Sequence, residues 1–251
     1  MTDSVSRFSN RVANYVKYRP TYPPEVLQLF KDELGLTAES IVADVGSGPG
    51  VLARNFLENG NTVYCVEPNE AMRLAAEELL ANYDGFRSVN SNSEATSLPA
   101  ASVDFITAAQ AFHWFRPEPT RAEFRRILKP DGYAALIWNI RQLDSTPFLS
   151  EYEQFIIDHA NDYGAVRHEN ITEAEIAAFF ERGYENASFD NIQVFDFEGL
   201  RGRLFSSSYM PAEGTEKSVE TEKDLRALFE RHAVEGKIEI LYDTEIYYSK
   251  L

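Results

Sequence analysis

A chain of 251 residues with 44% hydrophobic content can bury a full core, and mixed α/β folds of this length commonly form one domain. Its 24 Lys and Arg against 40 Asp and Glu give a formal charge of −16 with no basic cluster that would track phosphates, which disfavours nucleic acid as the main partner. The single cysteine, Cys65, excludes an internal disulfide, and the absence of a recognisable leader or of a run of about 20 apolar residues predicts a cytoplasmic protein without a membrane span.

A polar, aromatic-dotted opening leads to an expected helix over 24–34, where prolines precede Val26, Leu27, Leu29, Phe30 and Leu34 at helical spacing. The β-branched run 41–45 reads as a strand, 51–59 as a helix and 62–66 as a second strand, an order that implies parallel pairing. Residues 69–83 are helical in composition, 86–89 form a weak strand and 103–108 a clear one. A helix over 119–128 closes at Lys129-Pro130-Asp131-Gly132, and 133–138 is a further strand. Such alternation specifies an α/β doubly wound, Rossmann-like sheet.

Past Asn139 the alternation stops. Helices are expected over 148–163 and 172–182, the second opening on a capping-box pattern at Thr172-Glu173-Ala174-Glu175, before a strand over 191–197. Residues 141–188 therefore read as a helical lid insertion within a single domain spanning 1–251. A helix over 223–232 and a long alternating strand over 237–248 end the chain, and EGTEKSVETEKD reads as a solvated face.

The stretch VADVGSGPGV places Gly46, Gly48 and Gly50 just after the first strand, where a backbone in a parallel sheet can approach a ligand. The spacing is G-x-G-x-G; a dinucleotide fingerprint would need glycine where Val51 stands, and no catalytic Tyr-x-x-x-Lys appears in context, so a nicotinamide-dependent oxidoreductase is disfavoured. Asp44 beside the loop would repel a phosphate but accept a hydrogen bond or hold an ammonium group. Glu67, at the end of the second strand, can take both ribose hydroxyls of an adenosine. The loop is thus suited to a nucleoside without phosphates.

The stretch VADVGSGPGVLARNFLENGNTVYCVEPNEAM resembles the first two motifs of the class I S-adenosylmethionine-dependent methyltransferases. SEATSLPAASVDFITAAQAFHWF, FSNRVANYVKYRPTYP and RILKPDGYAALIW are similar to the small-molecule branch near the UbiE-like and trans-aconitate methyltransferase-like proteins, so the resemblance covers roughly residues 8–140. It implies seven strands, mostly parallel with an antiparallel last strand, and S-adenosylmethionine as cofactor with S-adenosylhomocysteine as product. Asp44, Gly46, Gly48 and Gly50 would line the methionine side, Glu67 the ribose, and Pro68, Asn69 and Met72 the ribose and adenine. Ser93 and Glu94 would lie at the adenine rim, and Gln110 with Ala111 beneath the reacting sulfonium. Tyr15 and Arg19 would close over the cofactor carboxylate.

For the acceptor, His113 and Trp114 follow the fourth strand, where His113 can orient a substrate or take a proton, and Trp114 can wall the pocket. Tyr18 and Tyr22 in the opening stretch, Arg141 at the lid entrance, and Arg201, Arg203 and Tyr209 in RGRLFSSSYMP are further substrate candidates. Arginines from three segments favour a small carboxylic acid, with a quinone-ring carbon or a metabolite hydroxyl close behind. A non-catalytic cofactor-binding partner of another enzyme is the rival of a different class. The spacing of His113, His159, His168 and His232 supports no metal site. The oligomeric state is open.

Overall fold

The computed structural model describes residues 16–161, 163, 172–207 and 209–251. β1 (Ile41–Val45), β2 (Thr62–Val66), β3 (Phe86–Val89), β4 (Val103–Ala109), β5 (Leu128–Arg141), β6 (Glu185–Phe195) and β7 (Ile238–Lys250) form one sheet in the order β3-β2-β1-β4-β5-β7-β6. Pairing is parallel from β3 through β5, and β7 runs antiparallel to both β5 and β6. The expected Rossmann-like sheet with an antiparallel last strand is therefore observed.

The apolar runs of β1 and β4 are buried because helices cover both faces. On one face lie α1 (Pro24–Asp32), α2 (Ala53–Glu58) and α3 (Glu70–Leu79), packing Val26, Phe30, Phe56 and Leu80 against Val42, Val63 and Ile137. Pro24 starts α1 at a position that needs no N–H donor, and the Asn69 side chain caps α3 by accepting from the Met72 N–H at 3.0 Å. On the other face, α4 (Pro117–Ile127) and α6 (Glu173–Phe180) bring Phe124, Ile127, Phe179 and Phe180 onto Ile106, Leu136 and Trp138.

A third cluster caps the end of β7. α5 (Pro147–His159), α7 (Phe197–Phe205) and α8 (Glu216–His232) bury Leu149, Tyr152, Leu200, Leu204 and Leu225 with Ile238, Ile240 and Tyr242. The cap therefore draws on chain before β6 and after it, and 141–188, expected as a helical lid, contributes α5 to it. Within that range α6 packs on the sheet, because Ile176, Phe179 and Phe180 share one face, and Glu185–Ser188 already belong to β6. Residues 162 and 164–171 of it lie outside the described residues. Lys129-Pro130-Asp131-Gly132, expected as a turn, is absorbed into β5 as an irregularity: Leu128 pairs with Val103 and Tyr133 with Phe105. Among the described residues no helix is long and apolar enough to cross a membrane.

Candidate active site

The three glycines of the loop after β1 all take positive φ, at 70°, 54° and 81° for Gly46, Gly48 and Gly50. Their surroundings differ. A Cβ on Gly46 would stand 2.6 Å from Ala111 Cβ, and one on Gly50 2.5 Å from Leu80 Cδ1, whereas one on Gly48 meets nothing within 4 Å among the described residues. Two glycines thus let the loop pack, and the third is the one whose backbone faces open space. Hydrogen bonds from Gly46 N–H to Val66 O (2.8 Å) and Gly50 N–H to Ser47 O (2.9 Å) hold the loop in shape.

Asp44 sits beneath this loop, 1% exposed, and accepts from the Thr107 hydroxyl at 2.8 Å. Burial pushes its carboxyl up to about 7, against the opposing pull of Thr107 and the Ala53 N–H. Its bonds tie β4 and the start of α2 to β1, so it supports the loop from below. Glu67, at the end of β2, accepts from Gly48 N–H at 2.9 Å through one oxygen and from Asn69 N–H at 2.8 Å through the other. Burial raises its pKa while these two N–H groups and Arg73 lower it. Each carboxylate oxygen keeps an acceptor site free, which suits a pair of vicinal hydroxyls.

Around this carboxylate Pro68 is exposed, Asn69 is engaged as the cap of α3, and Met72 is buried. Ser93 is buried with its hydroxyl 3.0 Å from that of Thr120. Glu94 pairs with Arg116 at 3.3 Å, which fixes the loop before β4 to the start of α4. Gln110, directly after β4, has a φ of 53°. Its N–H donates to Ile137 O (2.8 Å) and its Nε2 to Asn139 O (3.0 Å), bonds that hold a conformation rare outside glycine. Ala111 is buried against Gly46, and a short 3₁₀ turn, Phe112–Trp114, sets the His113 ring 4.9 Å from that of Trp114.

The opening segment straps across the same end of the sheet. Arg19 Nη2 donates to Ser206 O at 3.3 Å, Gln193 Nε2 to Tyr18 O at 3.1 Å, and the side chains of Asn139 and Asn191 to Thr21 O at 3.3 and 2.7 Å. Tyr18 lies on α7, where its ring fills the space a Cβ on Gly202 would need. Tyr22 is buried, in the hydrophobic cluster that also holds Val26 and Phe56. Tyr15 lies outside the described residues.

The arginines divide. Arg201 pairs with Glu222 at 2.7 Å and with Glu213 at 2.9 Å, which braces α7 against α8 and the segment before it. Arg141 and Arg203 are each 8% exposed. Arg141 pairs with Glu153 and donates to the Tyr163 hydroxyl at 3.2 Å, and Arg203 donates to the Tyr242 hydroxyl at 3.2 Å and Ser207 Oγ at 3.1 Å. Tyr209 packs its ring 4.8 Å from that of Tyr163. Among the described residues no group of three or more His, Cys, Asp or Glu is placed to hold a metal ion.

Sequence reasoning passed over Asn139, Tyr152, Glu153, Gln193 and Tyr242. Asn139 links four partners, accepting from Gln110 on its carbonyl and from Thr244 (2.6 Å) and Asn191 (3.0 Å) on Oδ1, and donating to Thr21. The signal was a polar Asn inside the apolar strand LIWNIR, where an unpaired amide would be costly. Tyr242 gave none, since it fits the ordinary alternation of β7.

Residues 43–136 match a family model described as a methyltransferase domain. An uncharacterized methyltransferase of Schizosaccharomyces pombe is 31% identical over 150 residues, which cover 59% of this chain and 58% of that protein. One of Mycobacterium tuberculosis is 34% identical over 138 residues, covering 53% of this chain and 52% of that protein. The chain thus spans between half and two thirds of the length of these relatives. Among solved structures, one described as a candidate type II methyltransferase from Anaeromyxobacter dehalogenans superposes with a TM-score of 0.69 at 20% identity, covering 93% of this chain and 98% of that one. A phosphoethanolamine N-methyltransferase from Haemonchus contortus, solved with phosphomonomethylethanolamine and S-adenosylhomocysteine, gives a TM-score of 0.56 at 11% identity and covers 96% of this chain and 56% of that one.

Proposed function

We propose, from the premise that residues 43–136 form a class I S-adenosylmethionine-dependent methyltransferase domain, that this chain methylates a small-molecule acceptor, and that the acceptor is a small carboxylic acid. The observation that carries the reading is the pairing of the open Gly48 backbone with the Glu67 carboxylate at the ends of β1 and β2. These residues fit the cofactor. Glu67 would take the ribose hydroxyls, Gly48 would admit close approach, Pro68, Asn69 and Met72 would flank the adenosine with Ser93 and Glu94 at its rim, and Gln110 would lie under the reacting centre with Ala111.

When bound, S-adenosylmethionine supplies a methyl group whose bond to sulfur breaks as the acceptor oxygen bonds the carbon, the sulfur keeping the electron pair. The chain's own work is then alignment and exclusion of water. The strap held by Arg19 and Tyr18 would close the cofactor side, and α5 and α7 the acceptor side. A carboxylate is already ionised near neutral pH and needs no base, which leaves His113 an orienting role beside the Trp114 wall.

Calorimetric titration of S-adenosylmethionine and S-adenosylhomocysteine tests the reading. Wild type should bind with micromolar affinity and Glu67→Ala about 10-fold or more weakly, because charge-assisted bonds to two hydroxyls are lost. Failure of the wild type to bind either compound overturns it.

A further inference from the structure

Asn139 stands where the two halves of the candidate site meet. β4 makes its last pairing at Ala109 with Ile137, while β5 runs on to Arg141. Beyond that point the β5 carbonyls on that side have no strand to pair with. Gln110 continues the ladder by itself. Its backbone N–H donates to Ile137 O at 2.8 Å and its side-chain Nε2 to Asn139 O at 3.0 Å, where the N–H of a further strand residue would otherwise stand. The main chain of Asn139 therefore fixes the side chain of Gln110, whose φ is 53°.

The side chain of Asn139 serves the strap, residues 16–22. That segment carries Pro20, with Pro23 and Pro24 directly after it, so it has few N–H groups with which to join a sheet edge and offers carbonyls instead. Side-chain amides of β5 and β6 supply the donors. Thr21 O accepts from Asn139 Nδ2 at 3.3 Å and from Asn191 Nδ2 at 2.7 Å, and Tyr18 O from Gln193 Nε2 at 3.1 Å. Other bonds set the direction of each asparagine. Asn191 Oδ1 accepts from the Ile192 N–H at 2.8 Å, which turns its Nδ2 toward Thr21 O and toward Asn139 Oδ1 at 3.0 Å. Thr244, opposite Asn139 across β5 and β7 and fully buried, donates to the same Oδ1 at 2.6 Å. With Oδ1 held from two sides, Nδ2 of Asn139 points at the strap. Asn139 is itself buried, and turning its amide would leave polar groups unpaired out of water.

We propose that Asn139 is a positioning residue for methyl transfer: its carbonyl holds Gln110 and its amide docks the strap, so that docking of the strap and occupation of the cofactor site favour each other. The placing of Gln110 beneath the reacting centre and of the strap over the cofactor rests on the methyltransferase reading; the link between them rests on the bonds above. A segment stiffened by proline docks at small cost in conformational entropy, so a few amide bonds decide whether it is on or off. By reciprocity, the ligand tightens the strap by the same factor as the docked strap tightens the ligand.

The test combines amide exchange of the whole chain with calorimetric titration of S-adenosylhomocysteine. In the wild type the ligand should slow exchange at residues 16–22. Gln110→Met removes the donor to Asn139 O and keeps the length of the side chain. Among the described residues Gln110 makes no hydrogen bond to the strap, yet without ligand this variant should exchange severalfold faster at 16–22 while β1 stays as protected as in the wild type. Asn191→Ala, on the edge strand, removes one donor to Thr21 O and one to Asn139. It should speed exchange at 16–22 and weaken S-adenosylhomocysteine about fivefold, the effect of one neutral hydrogen bond. Asn139→Leu should do both more strongly; should it fail to fold, the first two variants carry the test. Arg231→Met, at an exposed pair with Glu151, is the control and should change neither. Wild-type exchange in the strap of Gln110→Met, or unaltered S-adenosylhomocysteine affinity in Asn191→Ala, overturns the coupling. Faster exchange in β1 as well as in the strap would mark general loosening of the fold and overturns it too. A wild type that binds no S-adenosylhomocysteine sinks the methyltransferase reading, and the response of the strap to Gln110→Met still decides the link.

Discussion

Gly46 and Gly48 have nearly the same sequence context and opposite tolerances. Alanine at Gly46 would drive a methyl into Ala111 at 2.6 Å as well as forcing a positive φ, so Gly46→Ala should lower the melting temperature markedly. Gly48→Ala meets open space and should cost only about 1–2 kcal/mol from its backbone. It should nonetheless weaken S-adenosylhomocysteine strongly, because the methyl occupies the approach to the Glu67 carboxylate. Melting curves and titrations of the pair check this; equal losses of stability would refute it. Asp44 carries a pH signature. Burial lifts its carboxyl from an ordinary 3.8 to about 7, so the folded chain retains a proton that the unfolded chain releases. Its contribution to stability is present below 3.8, declines as pH rises and is lost beyond about 7. Asp44→Asn keeps the shape without titrating, and its melting temperature relative to wild type should climb across that window and then level; a flat difference would contradict the assignment.

At the scale of elements, α7 is the instructive case. FEGLRGRLF contains two glycines, poor helix formers, and the sequence reading left it without structure. The structure forms a helix because Asp196 caps it by accepting from Gly199 N–H at 2.8 Å, and because Gly202 makes room for the Tyr18 ring. Gly202→Ala would place a methyl 2.0 Å from Tyr18 Cε2. The helix itself should tolerate or even gain from alanine, so the expected effect is a displaced strap: faster amide exchange at residues 16–22 and weaker cofactor binding, with α7 still protected. Unchanged exchange in the strap would show that Tyr18 does not hold it. α6 teaches the converse lesson. Its capping box was legible locally, with Thr172 and Glu175 bonded as expected, but its place on the sheet was not, because that depends on Phe112 and Phe124 arriving from elsewhere.

For the whole molecule the formal charge of −16 implies net self-repulsion in the compact state. Raising sodium chloride from about 10 to 150 mM shortens the Debye length from about 30 to 8 Å, and the melting temperature should rise over that range. A fall would mean that attractive surface pairs, such as Arg231 with Glu151, outweigh the repulsion. The sequence alone determined the strand and helix alternation, the glycine loop and the carboxylate after β2, since each is set by neighbours within a few residues: side-chain periodicity, a cap, a Cβ that must be missing. Tertiary structure decided that Arg201 is clamped by two carboxylates while Arg203 meets a phenol and a hydroxyl, and that Asn139 joins Gln110 to the strap. It also decided that the cap is assembled from both sides of β6. Those outcomes rest on partners distant in the chain, 187 residues for Arg19 and Ser206 and 39 for Arg203 and Tyr242, and no local pattern records whether a buried charge will meet a carboxylate, a phenol or nothing.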